Sequence, residues 1–469
     1  AYDPNSGQVI PHLAERWTVA DDGKIITFTL RTNALWHDGQ PVAADDVVFS
    51  IEAARDPALD SPYGPQLGHV IEANAPDDAT LVVELDEPDC PSLEVLGALP
   101  ILPQHLLANS DLSVASLADA PVGSGPFVFV DWTPEGEVHL ARNEDYWGGA
   151  PYLDTWSYRP FANAVDLQHA WESGQIDMAL MPPGRLPGVI DASPSLKANQ
   201  SVYHYLSPEF VFIAFNNEHP VLSDSRVRLA LSMAVDRQQV LDQALDGMGE
   251  LIAGTLPATH WAADPALSPP PYDPDGARQL LAEAGWSDSD GDGWLDRDGM
   301  RLRLPIRTNG GDRLREDIAI LVAGYYRAIG IDASTELVAW GALVDDLFTH
   351  DFEAIVFGWP LPADPDQSRW WLSTENGLGI GYNFVSFADE RVDRLLHEAL
   401  TVPSCDAGRR AERYQQIQHL LAEKRPYDFL LIPYATVLIH PGLHGLVAGP
   451  FSNPLESAAA WYVNTIADH

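Results

Sequence analysis

A chain of 469 residues, 46% of them apolar, outgrows a single hydrophobic core, so two or three lobes are expected and a disordered chain is not. The formal net charge of −41, from 68 acidic against 27 basic residues, repels phosphate backbones and anionic bilayers and argues against nucleic acid or lipid as partner. No apolar run approaches the roughly 18 residues that a membrane span needs.

In chain order, Ile26, Phe28 and Leu30 alternate with Thr27 and Thr29, and Leu81, Val83 and Leu85 alternate in the same way, which predicts two strands with one buried face each. Between them Val47 or Val48, Ile51 and Ala54 recur at helical spacing, Asp45 and Asp46 favour the helix dipole, and Asp56-Pro57 ends the run. From Ser223 the pattern is helical: Val227, Leu231 and Ala234 form a stripe, Asp236 caps a second helix, and Gly247 stops it. Asp273-Pro274 caps a third, which closes at Gly285, and Ile318, Leu321, Val322, Tyr325 and Ile329 mark a fourth that closes at Gly330. Strand-like runs follow, notably Phe352 to Trp359, and the alternation predicts an α/β lobe on a largely parallel sheet.

The cysteines, Cys90 and Cys405, have neither metal-ligand nor dithiol spacing, and spacing leaves a disulfide between them undecided. Nucleophile elbow, HExxH and phosphate-loop patterns are absent, so nothing in the motifs points to an enzyme.

Seven ordered strings span the chain: PHLAERWTVADDGK from Pro11, WHDGQPVAADDVVFS from Trp36, PVGSGPF from Pro121, ARNEDYWGG from Ala141, WESGQID from Trp171, NNEHPVLSDSRVRLALSMAVD from Asn216, and YDPDGARQLLAEAGWSDSDGDG from Tyr272. Together they resemble the extracytoplasmic solute-binding proteins of ABC importers, in the family that includes oligopeptide, dipeptide and nickel binders. The resemblance implies an α/β fold of the periplasmic-binding-protein type II-like class: two lobes joined by a two-segment hinge, with an extra subdomain in lobe one. Lobe one is expected over 1–218 and 445–469, with the inserted subdomain at roughly 12–120, and lobe two over 219–444. Export information and the first strand of lobe one are expected to precede Ala1. The family usually has a capping Thr or Asn where this chain has Ala43, a loss of about 1 kcal/mol at that helix start.

The loop from Phe357 to Thr374 follows a buried strand, and ligands of open α/β sheets sit outside the carboxyl ends of strands. Its Trp359, Asp364, Asp366, Trp370 and Trp371 are therefore the first candidates for ligand contact; the alternative for Trp370 and Trp371 is a place in the core at a helix start. Peptide-binding relatives place an aspartate a few residues after this tryptophan to pair with the peptide's amino group. Here Pro360 to Ala363 contain no acid, which favours a neutral or sugar-like ligand. Asn216 and Asn217, at the expected lobe crossover, are candidates to bond ligand polar groups or else the backbone of their own turn. Arg142 and Arg313 are candidates for a ligand carboxylate, Arg142 with a structural ion pair as the preferred alternative.

Asp288, Asp290 and Asp292, with Gly293 next and the backbone of Trp294, match the first half of a calcium loop, with Asp296 or Asp298 as later ligands. Position twelve is Gly299 in place of a bidentate Glu, and a plain Asp/Gly turn is the alternative. A structural calcium is the metal expected, and no cofactor is required.

The resemblance implies a monomeric receptor, periplasmic or on the outer face of the cytoplasmic membrane, free or lipid-anchored, that closes on a small solute and delivers it to a permease. Oligopeptides lead among the ligands, then oligosaccharides, then nickel chelates. The ligand-binding domain of a sensor or chemoreceptor is the alternative of another class, and a hydrolase the remote one.

Overall fold

The computed structural model describes residues 1–112, 120–134, 136–181, 202–379 and 381–463. The chain divides into two compact units, one of residues 1–179, 399–410 and 438–469, the other of residues 180–398 and 411–437. It therefore passes between them four times, where the sequence reading has two passages near Glu218 and Gly445. Glu218 lies inside the second unit, and the unforeseen pair of passages encloses the short segment that carries Cys405.

In the first unit β1 (Ala14–Val19), β2 (Ile25–Leu30), β3 (Val70–Asp77) and β4 (Thr80–Leu85) form an antiparallel sheet in the order β1-β2-β4-β3. The alternation predicted for β2 and β4 is observed: Ile26, Phe28, Leu30, Leu81, Val83 and Leu85 are buried under Val47, Ile51 and Ala54 of α1 (Ala44–Arg55). Asp46 makes up for the missing cap at Ala43. Its buried carboxylate accepts from the Ala43 N–H (2.9 Å), Trp36 Nε1 (3.1 Å) and the Gln104 N–H (2.9 Å), so one acid ties the helix start to the WHDG turn. His37 of that turn accepts at Nδ1 from the Gly123 N–H (3.2 Å) and donates from Nε2 to the Gly125 carbonyl (3.1 Å), which also accepts from Asn143 Nδ2 (2.9 Å). Three of the sequence signatures thus meet at one joint. A further sheet of this unit has β5 (Phe127–Trp132), β6 (Val138–Arg142) and β7 (Thr155–Tyr158) in that order, and Trp156 of β7 stacks on Trp461 at 5.0 Å. Cys90 and Cys405 form a disulfide with Cα atoms 5.4 Å apart, settling what spacing left undecided.

The second unit is built on a sheet whose main path runs β11 (Gly249–Leu251), β17 (Tyr427–Ile439), β10 (Glu209–Phe215), β16 (Ala354–Pro360), β14 (Arg303–Asn309) and β15 (Asp332–Val338). It is mixed where a largely parallel sheet was expected. The pairs β14–β15 and β14–β16 are parallel, but β10 runs antiparallel to both β16 and β17. One face, with Val211, Ile213, Leu304, Ile306, Ala354 and Val356, is aliphatic and packs under four helices: α5 (Ser225–Met233), α6 (Arg237–Leu245), α7 (Pro274–Glu283) and α8 (Arg313–Ala328). Each is capped by the acid that precedes it, namely Asp224, Asp236, Asp273 and Asp312. The opposite face is aromatic: Phe210, Phe212, Phe357, Tyr427 and Phe429 form a contiguous set, with Phe212 stacked on Tyr427 at 4.1 Å. Among the described residues no helix is long and apolar enough to cross a membrane.

Candidate functional site

The parallel strands β14, β15 and β16 end side by side at Asn309, Val338 and Pro360 in the second unit. Gly311, at φ +95°, turns the chain from β14 into α8, and the Gly310 N–H bonds the Val338 carbonyl at 2.8 Å, so the loops after β14 and β15 are joined. The loop after β15 leads directly into α9 (Trp340–Thr349), and the loop after β16 is pinned by the Leu361 N–H on the Pro208 carbonyl (2.8 Å) and by His260 Nε2 on the Ala363 carbonyl (2.9 Å). These attachments hold the carboxyl edge of the sheet rigid.

Indoles cover this edge. Trp359 stacks on Trp370 at 5.6 Å with planes 13° apart, meets Phe357 edge-on at 5.3 Å, and donates from Nε1 to the Tyr427 hydroxyl (3.3 Å). Tyr427 is buried, and burial pushes its hydroxyl far above the ordinary tyrosine range, so it stays protonated. Trp340, the first residue of α9, lies on Phe357 with ring centres 6.0 Å apart and is 54% exposed. An exposed indole backed by a second ring is a ready stacking surface.

A charged group stands beside the rings. Arg315, in the first turn of α8, places its guanidinium 4.9 Å from the Phe357 ring centre; Nη2 donates to Glu209 Oε1 (2.6 Å), Nη1 donates to Asn309 Oδ1 (3.1 Å), and Nε lies 3.3 Å from Asp312 Oδ2. Glu209 opens β10 opposite Pro360. Gly358 leaves room for this arrangement, since a Cβ at that position would fall on Glu209 Oε1 and the carboxylate would have to move.

Of the residues proposed from sequence, Trp359 and Trp370 lie on this edge, half-buried. Trp371 does not: it is fully buried against Phe387 and Tyr427, with Nε1 bonded to Gln367 Oε1 at 2.9 Å. One helical step of about 100° separates its direction from that of Trp370, which turns it into the core. Asp364 accepts from the Asp366 N–H (2.9 Å), and Asp366 accepts from the N–H (3.0 Å) and hydroxyl (2.6 Å) of Ser368, so both acids shape the loop. The Asn216 amide donates to the carbonyls of His350 and Phe352 (3.0 Å each), and the Asn217 amide donates to those of Phe215 and Val385 (2.9 Å each); both are spent on backbone. Arg142, in the first unit, pairs with Glu144 (2.6 Å) and Asp154 (2.9 Å), which raise its pKa. Arg313 is exposed and reaches Asp317 (2.8 Å), away from the Glu209 pair.

At the acidic turn, Asp288, Asp290 and Asp296 offer oxygens within 4.8 Å of one another, so Asp296 takes the place expected for Asp292, which pairs with Arg301. The backbone N–H of Trp294 bonds Asp292 Oδ1 at 2.9 Å, and the Asp288 carboxylate accepts from the N–H groups of Gly291 (2.8 Å) and Gly293 (3.0 Å).

Sequence reasoning missed Glu209, Arg315 and Trp340. Arg315 lies two positions beyond Arg313, about 200° around the helix, so one of the two must point away when the other faces the edge. The signal for Trp340 was available: it stands just beyond a strand-like run, as Trp359 stands at the end of one. Glu209 carried no local signal, because its importance comes from pairing with β16 some 150 positions away.

A family model described as bacterial extracellular solute-binding proteins, family 5 middle, matches residues 8–379. The chain is 31% identical over 465 residues to the oligopeptide-binding protein AppA of Bacillus subtilis (strain 168), covering 96% of this chain and 83% of that one. The solved structure of AppA from Bacillus subtilis in complex with a nonapeptide superposes with a TM-score of 0.71 at 29% identity, covering 97% of this chain and 90% of that one. NikZ from Campylobacter jejuni in complex with Ni(L-His) gives a TM-score of 0.79 at 25% identity, covering 98% and 92%.

Proposed function

The chain belongs to the bacterial extracellular solute-binding proteins of family 5, and we propose that it captures a peptide-like solute outside the cytoplasm and hands it, chemically unaltered, to the permease of an ABC importer. The observation that carries the reading is the carboxyl edge of the second unit's sheet, where exposed and half-buried indoles stand beside a fixed Arg315–Glu209 pair. Rings supply area for side chains of many shapes, and the polar pair fixes orientation, which is the division of labour of a small-molecule site. AppA is solved with a nonapeptide and NikZ with Ni(L-His), both of them ligands built from amino acids, in keeping with such a surface. No bond of the solute is made or broken; binding acts by selecting the conformer with the higher affinity.

An oligosaccharide is the second reading, favoured by the Trp340, Trp359 and Trp370 indoles and by the acid-free stretch from Pro360 to Ala363. Native mass spectrometry of the purified protein, followed by calorimetric titration with peptide pools from dipeptides to nonapeptides and with oligosaccharides, separates the two. Peptide retained or bound at micromolar affinity is expected. Sugar binding with no peptide binding overturns the proposal.

A further inference from the structure

Glu209 and Arg315 form an ion pair, yet the two partners are not equally engaged. The Arg315 side chain is 10% exposed; its Nη2 and Nη1 donate to Glu209 and Asn309, and its Nε lies within ion-pair distance of Asp312, so two of its three neighbours carry negative charge. The Glu209 side chain is 43% exposed, and its Oε2 makes no hydrogen bond to any described residue. One guanidinium against two carboxylates leaves the cluster with a net charge of −1. The other arginine of this helix start, Arg313, is drawn off by Asp317. The residues next to Glu209 in the chain and across the strand pair, Pro208 and Pro360, add no positive charge.

We infer that Glu209 is a specificity-determining residue that binds a cationic nitrogen of the solute, an ammonium or guanidinium, through Oε2 while Arg315 holds Oε1. The carboxylate is preorganised: Arg315 clamps it, Gly358 leaves it room, and β10–β16 pairing sets its position. Little side-chain freedom is lost when the ligand arrives. The cation then lies next to the ring-covered edge, so the class of ligand selected is an amine with an apolar or aromatic group close to the nitrogen. An anionic group at that point would be repelled by a net negative cluster, and a neutral donor would gain a hydrogen bond without the attraction between opposite charges.

This inference rests on the peptide reading, and the test separates the two. A peptide found to bind is compared, by titration calorimetry, with the same peptide acetylated at its amino terminus and carrying no other cation, against wild type, Glu209→Gln and Glu209→Ala. The wild type should prefer the free amine by about tenfold or more, a size typical of one charge-assisted hydrogen bond. E209Q keeps an acceptor for Arg315 but loses the charge, and should shrink that preference to about twofold; E209A gives the same readout should the glutamine variant fold poorly. Equal binding of both peptides by wild type, or undiminished preference in the variants, overturns the role of Glu209 and leaves the peptide reading standing. Binding of neither peptide overturns both.

Discussion

Removing the Cys90–Cys405 disulfide should destabilise the first unit strongly. The bond spans 315 positions, and the chain-entropy relation gives about 5.7 kcal/mol for a loop of that size at 25 °C. Much of that loop is the second unit, however, and while it stays folded only roughly 95 first-unit residues are free to wander, which lowers the figure to about 4.7 kcal/mol. The logarithm makes the answer insensitive to the choice. Residual structure in the unfolded chain lowers it further, so a loss of about 2–5 kcal/mol is expected. At about 2–4 °C per kcal/mol for a unit of this size, the first-unit transition should fall by around 10 °C. Noncovalent ties at the same place survive the change: the Cys90 N–H on the Leu400 carbonyl (3.0 Å) and the Ser404 hydroxyl on Asp21 (3.2 Å). The comparison therefore isolates the covalent link. Scanning calorimetry of oxidised wild type, reduced wild type and the C90S/C405S double variant measures it, with a thiol titration confirming that the oxidised protein has no free cysteine. Melting of all three within about 2 °C would refute the reasoning.

The two kinds of tryptophan at the candidate site should behave oppositely. Trp371→Ala empties a fully buried position and should cost about 3–5 kcal/mol in urea unfolding with little change in ligand affinity, whereas Trp340→Ala should cost under about 1 kcal/mol and weaken binding several-fold; the reverse pattern would exchange their roles. Asp224 caps α5, and the Arg226 guanidinium, then its N–H, hold the carboxyl below the usual aspartate range. A depressed folded pKa gives stability that is whole above the unfolded value and is lost as pH falls through the folded one, so Asp224→Asn should lower Tm more at pH 7 than at pH 3. Calcium at the Asp288, Asp290 and Asp296 turn would relieve mutual repulsion, so about 5 mM calcium added to chelator-treated protein should raise Tm by about a degree, an effect absent from Asp290→Asn. An unchanged Tm would leave the turn closed by its own hydrogen bonds.

Local chemistry made much of the scaffold legible. Period-two burial announced β2 and β4, and Asp-Pro, Asp caps and trailing glycines announced the helices, because each of these features is decided within a few residues. Sheet direction was not local: alternating helix and strand suggests parallel pairing, but β10 and β17 enter the sheet antiparallel, and their own sequences do not encode the partner. The site divided along the same line. Trp359 could be found because a buried strand ended beside it, whereas Trp371 looked equivalent in sequence and differs only by a rotation of the helix. Asn216 and Asn217 looked available because an amide says nothing of which carbonyls will come near. The disulfide and Glu209 each depend on a partner more than a hundred positions away.

The strongest polar investment of the second unit lies behind the aromatic face rather than on it. Arg237 and Asp428 form a buried ion pair, joined by the Ser232 hydroxyl (2.5 Å to Asp428), so α5 and α6 are fastened to β17 one residue after Tyr427. Arg228 donates to the carbonyls of Lys424 (3.1 Å) and Arg425 (2.9 Å), where a helix of residues 407–424 ends just before β17 begins; burial lowers its pKa to about 10, which still leaves it charged at neutral pH. A well-packed apolar substitute for such a pair can be as stable, so stability alone does not account for it. What the network specifies is position: it fixes where β17 starts, hence where Tyr427 stands, hence the height of Trp359, whose Nε1 bonds that hydroxyl. Breaking one partner would leave a buried charge at a cost of about 3–5 kcal/mol, so any drift of β17 is penalised steeply. The edge proposed to meet the solute can then vary in its indoles and charges while the strand beneath it keeps its place.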